Sequence, residues 1–502
     1  MEQPEAATDE REEAAAAEEP PLIVDPVPSA VLKTPSEGLE SIPQYPKRVI
    51  IVGGGIAGLV AGFELLRQGH DPLILEAQHR VGGRIYTLRD FAPGLYAEAG
   101  AMRIPAVHDL TLAYCRLFGL QLRPFVMGNP RCLVSLDGQR FTMGEADAEP
   151  QRLPFSLAPH ELGRTYSQLW DEATREVREL YQRIGEEALA QVIADYDRYS
   201  IREFLTMRGF SEGAIELYGV MSFREANLGA AVIEQLREII GRAFDDMSEV
   251  VGGMDRLTDA FYRPLRDHIR FGARVVAFEQ GEDSVTVHYT TRAGRFSETG
   301  DYAVCTLPFS VLGDVDATPE WSHGKRKAIR ELNYNASTKI LFQTSTRFWE
   351  RSDGIVGGTT ATDLPIRRMV YPSHSDPDEA RGTLLASYTW GQDALRWEAM
   401  DPEVRIEEAL DQVAKIHPEV RGEFEVGTSH AWYEDHYARG AFALFEPGQE
   451  SLLQADIQCP EGRVYFAGEH CSLWHAWIQG ALESGIRAAR QIHEAPVPVA
   501  AR

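Results

Sequence analysis

Four apolar residues, Val49 to Val52, open the first patterned stretch of the chain, and a cluster of glycines stops them. A short unbroken apolar run bounded by glycine reads as a buried strand. From Ile56 to about Gln68 the pattern becomes that of an amphipathic helix. A second apolar run, Pro72 to Leu75, ends at the acidic Glu76. Helical spacing then dominates from about Ala158 to Met247. Strand patterns return at Ile269–Glu279, Ser284–Tyr289, Tyr302–Leu307, Ser337–Thr346, Arg368–Tyr371 and Thr383–Tyr388. Alternation within Ser337–Thr346 puts Ser337, Lys339 and Leu341 on one face, and Ile340 and Phe342 on the other. Arg463–His470 reads as strand then turn, and Ala481–Ile492 as helix. A β-α-β unit therefore opens the fold and a β-then-α unit closes it, with mixed and helical parts inserted between.

The glycines sharpen the first unit. Gly53, Gly55 and Gly58 form a Gly-x-Gly-x-x-Gly turn between strand and helix, the order that a dinucleotide site requires. Gly53 allows the tight turn, Gly55 lets backbone approach a pyrophosphate, and Gly58 lets helix and strand pack closely. The helix start at Ile56 and Ala57 offers free N–H groups and a partial positive charge to the phosphates. Glu76, followed by Ala77, accepts hydrogen bonds from ribose hydroxyls. The alternative is a Gly-rich turn in an ordinary α/β fold.

Size and composition narrow the class. At 502 residues, two or three domains are expected. A hydrophobic content of 44% with 25% charged residues is that of a soluble globular protein, and no apolar run reaches the length needed to span a bilayer. A net charge of −26 without a basic stripe argues against a nucleic-acid partner. Cys115, Cys132, Cys305, Cys459 and Cys471 are odd in number and widely spaced, so neither a disulfide framework nor a metal site is expected, which fits a cytoplasmic location. The first 21 residues are acidic and Ala-rich, and lack the basic and apolar regions of a secretory signal. They read as a disordered tail, and the Pro-rich residues 22–45 as an extended arm along the body.

Several separated segments together resemble one family, the flavin amine oxidases, and within it the L-amino acid oxidases. They are RVIIVGGGIAGLVAG, LILEA, RVGGRIYT, YAEAGAMRIP, EVVGGMDRL, YNASTKILF, RFWE, RMVYPSH, VYFAGEH and HAWIQGALESGIRAA, spread from about Lys47 to Ile492. The resemblance implies an α/β multi-domain fold with a discontinuous, glutathione-reductase-like FAD-binding βαβ domain. That domain is expected at 46–90, 248–325 and 455–495, a mixed-sheet substrate domain at 91–150 and 326–454, and a helical domain at 151–247. Gly82, Gly83 and Arg84 resemble the second phosphate clamp of such flavoproteins, so the dinucleotide is read as FAD. Gly468 and Glu469 resemble the FAD closure. Gly252, Gly253 and Met254 resemble backbone brought close to the flavin, and Trp432 resembles a residue packed on its ring. Val275 resembles the adenine-recognising position or is plain strand core. Ala441 stands where monoamine oxidases carry a flavin-linking cysteine, which implies non-covalent FAD.

The resemblance also implies a substrate site. The loop Gly100, Ala101, Met102, Arg103 runs under the flavin, and Arg103 pairs with a carboxylate, for which a planar guanidinium is suited. Tyr371 is expected to donate its phenol to that carboxylate, its alternative being a half-buried strand tyrosine. Trp477 and Phe442 flank the substrate Cα, the Ala476 carbonyl accepts from the amine, and Ile478 meets the flavin. His475 reads as structural. Arg237 is read as solvated rather than as a substrate contact. Lys339 resembles the lysine near flavin N5 or is an outward-facing strand residue. The implied reaction is hydride transfer from an L-amino acid Cα to the flavin, with O2 as acceptor, giving a 2-oxo acid, ammonia and hydrogen peroxide. Lys339, Arg103, Tyr371 and Trp477 are its expected catalytic residues. Amide-forming L-amino acid 2-monooxygenation, amine or polyamine oxidation, and a scaffold without turnover are the alternatives. The family also implies a homodimer.

Overall fold

The computed structural model describes residues 27–39, 45–240, 243–244, 246–375 and 379–496. The tail expected over residues 1–21 lies outside them.

A five-stranded parallel sheet is assembled from distant pieces of chain, in the order Ile269–Arg270, Asp71–Leu75, Arg48–Val52, Tyr302–Cys305, Val464–Phe466. Val49 and Ile51 point to one side of it, Ile50 and Val52 to the other, and each pair joins a separate core. Burial on both faces explains why these strands read as unbroken apolar runs. The helices Ile56–Arg67 and Ile478–Glu494 pack together on one face. Gly485 makes this closeness possible, since a Cβ there would lie 2.5 Å from the Ala57 carbonyl oxygen.

A seven-stranded mixed sheet runs Phe424–Ala431, Ser337–Thr344, Gly382–Trp390, Arg368–Val370, Thr359–Thr362, Leu133–Leu136, Gln139–Thr142. Helices from Tyr166–Ala173 to Val232–Ile240 share one core with the Ile50 and Val52 side of the parallel sheet. Capping boxes at Thr165/Gln168 and Ser200/Glu203 start two of them by satisfying otherwise orphaned N–H groups.

Two expectations need correction. The arm is not wholly extended: Ser29–Glu37 is helical despite Pro35. Val31 buries itself in the core, and Arg67 reaches the carbonyls of Thr34 and Pro35, so tertiary contacts outweigh the proline's helix-breaking tendency. The strand expected from Ile269 to Glu279 is two strands. Gly272, at φ +66°, turns the chain between Ile269–Arg270 in the parallel sheet and Arg274–Gln280 in a four-stranded sheet beside it.

Candidate active site

The carboxyl ends of the parallel strands open into one long cavity that continues to the mixed sheet. Ligands gather at this edge in open α/β sheets because the strand-to-helix turns present backbone N–H groups there. Gly53, Gly55, Ile56, Ala57, Glu76, Ala77, Gly83, Arg84 and Val275 line the first half.

The three turn glycines differ in what surrounds them. A Cβ on Gly58 would lie 2.1 Å from the Gly53 carbonyl oxygen, and one on Gly53 would lie 2.5 Å from Thr306 Oγ1. A Cβ on Gly55 would meet no atom within 4 Å. Gly55 thus faces open space in the cavity, while the other two carry packing. Glu76 is held by the N–H groups of Gly54 at 2.6 Å and Gln78 at 2.7 Å. Burial raises its pKa above the ordinary carboxylate value against those hydrogen bonds. Gly82 N–H donates to the Gly54 carbonyl at 2.9 Å, so the Gly-Gly-Arg segment lies directly on the first turn. The helices starting at Ile56 and Ile478 both have N-termini without a side-chain cap, and both first residues line the cavity. Uncapped N–H groups and an open cradle suit a dinucleotide diphosphate and an electron-rich ring edge.

In the middle of the cavity, Arg84 Nη1 donates to Glu469 Oε1 at 2.8 Å and to the Ala441 carbonyl at 3.2 Å. Glu469 Oε2 also accepts from Ala476 N–H at 3.0 Å. One carboxylate therefore ties the Gly-Gly-Arg segment to the turn before Trp477. Gly468 lines the wall beside it, and Trp432, whose Nε1 donates to the Ala99 carbonyl at 2.9 Å, lines another. Gly252, Gly253 and Met254 do not line the cavity, contrary to expectation. Met254 N–H donates to Glu98 Oε1 at 2.8 Å, so this segment braces the loop that leads to Arg103.

Gly100, Ala101, Met102 and Arg103 line the far half with Ala476, Trp477, Ile478 and Phe442. Ala476 holds a left-handed φ of +65°, unusual for a residue with a Cβ and typical of functional turns. The Arg103 guanidinium lies 5.9 Å from the Trp477 ring centroid, and its one hydrogen bond among the described residues is to the Met127 sulfur at 3.3 Å. Among the described residues it has no ion pair. Burial lowers its pKa, the cost of a cation awaiting an anion.

Lys339 is 2% exposed on a strand buried on both faces, so the outward-facing alternative does not hold. Its Nζ donates to the carbonyls of Gly100 at 2.6 Å and Glu98 at 3.0 Å. Burial pulls its pKa well below the ordinary amine value. Directly opposite it in the antiparallel pair stands Tyr388, with Nζ 4.7 Å from that ring centroid. Burial raises the Tyr388 phenol, but Lys339, Arg368 and Arg103 outweigh it and draw the pKa below the ordinary value.

Tyr371 is not in this site. Its hydroxyl hydrogen-bonds Thr360 Oγ1 at 2.8 Å and His417 Nε2 at 2.6 Å within a separate core. Strand parity explains the misplacement. Met369 and Tyr371 face that core, while Arg368 and Val370 face the cavity side. Arg237 is likewise not solvated. It is buried against Glu234 and Glu450, and His475 Nδ1 meets Glu234 Oε1 at 2.7 Å, which keeps His475 structural. Tyr388, Trp390, Arg224, Gln235 and Glu238 line the cavity and were missed. Tyr388 ends a recognised strand, and only its pairing with Lys339 reveals its direction.

The fold and this cavity are those of a dinucleotide-dependent oxidoreductase. Residues 56–493 match the model of the family described as flavin containing amine oxidoreductase. The chain is 40% identical over 463 residues to YobN of Bacillus subtilis (strain 168), provisionally named an L-amino-acid oxidase, covering 91% of this chain and 96% of that one. It is 33% identical over 457 residues to the L-amino-acid oxidase BmooLAAO-I of Bothrops moojeni, covering 90% of each. Cyclohexylamine oxidase from Brevibacterium oxydans IH-35A shares the fold, with a TM-score of 0.71 at 20% identity over 90% of this chain and 99% of that one. Putrescine oxidase bound to putrescine does so with a TM-score of 0.72 at 19% identity, over 89% and 99%. The chain belongs to the flavin-containing amine oxidoreductase family, and its cofactor is FAD. Among the described residues no helix is long and apolar enough to cross a membrane, and no acid, histidine or cysteine cluster suits a metal.

Proposed function

We propose that this chain oxidatively deaminates L-amino acids to 2-oxo acids, with ammonia and hydrogen peroxide as the other products. The single observation that carries the reading is Arg103. A guanidinium lining the cavity with no ion pair among the described residues is costly unless the substrate brings a carboxylate, and a simple amine brings none. The names of the relatives point the same way.

Arg103 and Tyr388 hold the substrate carboxylate. The Ala476 carbonyl accepts from the neutral amine, and Trp477 and Phe442 wall the Cα in and keep water out. FAD, when bound, would supply the hydride acceptor and the route for electrons to O2. Lys339, anchored by two carbonyls, would retain or release a proton at Nζ. FAD is held without a covalent link, since no cysteine lines the cavity and Ala441 occupies the linking position. Five free thiols, four of them buried, suit the cytoplasm. A homodimer completes the reading, and sedimentation tests it.

The test is anaerobic bleaching of the yellow protein by L-amino acids, followed by peroxide release in air. Arg103→Met, loaded with FAD, should lose about a hundredfold or more in kcat/KM. Bleaching by amines alone, or an amide product in place of peroxide, overturns the proposal.

A further inference from the structure

More positive charge surrounds the substrate end of the cavity than one carboxylate balances. Besides Arg103 and Lys339, two arginines converge on Tyr388 and Trp390. Arg368 stands behind those rings, outside the cavity lining; it is 5% exposed, and its guanidinium lies 4.0 Å from each ring centroid. Its one hydrogen bond runs from Nε to the Tyr388 carbonyl at 3.2 Å, and among the described residues it has no ion pair. Arg224 lines the cavity, 5.4 Å from the Trp390 centroid. It gives one nitrogen, Nη2, to Glu238 Oε2 at 3.0 Å. Its Nε and Nη1 make no hydrogen bond among the described residues.

Glu238 is the acid in direct contact with this cluster, and it is already occupied. Besides Arg224, it accepts from Gln235 Nε2 at 2.6 Å and from Trp477 Nε1 at 3.2 Å. A substrate ammonium would compete with three protein donors for it. A substrate anion would meet the unused edge of Arg224 and the field of Arg368 behind the aromatic wall. Of the other acids nearby, Glu234 is matched by His475 and Arg237, and Glu98 faces Lys339. With one α-carboxylate on Arg103, excess positive charge remains in a low-dielectric chamber, where it is poorly screened.

We propose that the preferred substrate is a dicarboxylic L-amino acid, its α-carboxylate on Arg103 and Tyr388 and its side-chain carboxylate on Arg224. The proposal rests on the amino acid oxidase reading above and adds the substrate class. A charged group matched by a desolvated arginine is discriminated strongly from its neutral isostere, because the isostere leaves the guanidinium unpaired.

The experiment uses the FAD-loaded protein and near-isosteric pairs, L-glutamate against L-glutamine and L-aspartate against L-asparagine, with L-leucine and L-lysine alongside. Flavin bleaching and peroxide are both read. At least one acid should exceed its amide by about thirtyfold or more in kcat/KM. Arg224→Gln should shrink that ratio to within about threefold, and Arg224→Lys should restore part of it. A wild-type protein that prefers an amide, leucine or lysine overturns the proposal while the amino acid oxidase reading stands. A ratio unchanged in Arg224→Gln overturns the role of Arg224. Absence of bleaching by every amino acid, with bleaching by a simple amine, sinks both readings.

Discussion

Two tyrosines separate binding from support at the residue scale. Tyr388→Phe removes a phenol that lines the cavity beside Lys339, so KM for the amino acid should rise about tenfold while the melting temperature stays put. Tyr371→Phe removes the partner of Thr360 and His417 in a closed core. That change should cost about 1–3 kcal/mol of stability and leave KM alone. Paired melting curves and steady-state kinetics check both, and a KM effect in Tyr371→Phe would restore the original assignment. Arg103, Trp477, Ala476 and Lys339 could be nominated from their segments because each sits in a distinctive local context. Tyr388 could not. A tyrosine at the end of a strand is ordinary, and what sets it apart is the register that puts it opposite Lys339.

At the scale of elements, the glycine turn allows a clean division. Gly55→Ala meets open space, so the apoprotein should melt as before while FAD binding weakens about tenfold or more, measured by flavin titration. Gly58→Ala drives a methyl group into the Gly53 carbonyl, so the apoprotein itself should lose several kcal/mol, about 3 or more. Equal melting losses in the two variants would contradict this division. The helix Val232–Ile240 offers a pH test. Glu234 on it pairs with His475 in the turn before Trp477. For His475, burial lowers the pKa but the Glu234 charge overrides it, and the net direction is upward. For Glu234, burial raises the pKa but His475 overrides it, and the net direction is downward. The raised histidine stabilises fully below its unfolded value of about 6.5, and that contribution fades as pH rises through the folded value. The depressed glutamate stabilises above its unfolded value of about 4.3, fading as pH falls through the folded one. The melting difference between wild type and His475→Gln should therefore peak between about pH 4.5 and 6.5. A flat difference across that window would mean that the pair contributes nothing.

Histidines buried across the whole molecule should each cost stability in acid. Burial pushes His70 and His430 down to about 4 and His108 to about 3. Unfolding lets each take up a proton below its ordinary value of about 6.5, so each weakens the native state by up to ~3 kcal/mol as pH falls. In thermal scans from pH 7.5 to 5 the melting temperature should fall less in His108→Asn than in the wild type, and an equal fall in both would refute the histidine contribution. The layout of the molecule was partly legible in the chain. Unbroken apolar runs such as Val49–Val52 announced a doubly covered sheet, and the glycine spacing with its following acid announced a dinucleotide turn. These signals are local: a few adjacent residues settle their own conformation and chemistry, so sequence alone determined them. The helix Ser29–Glu37, the break at Gly272, the burial of Arg237, and the meeting of Arg224 and Tyr388 in one cavity with Arg368 behind them were decided by tertiary structure. Each depends on which distant segment lies alongside, and a one-residue change of strand parity is enough to move a side chain, as with Tyr371, from the substrate to the core.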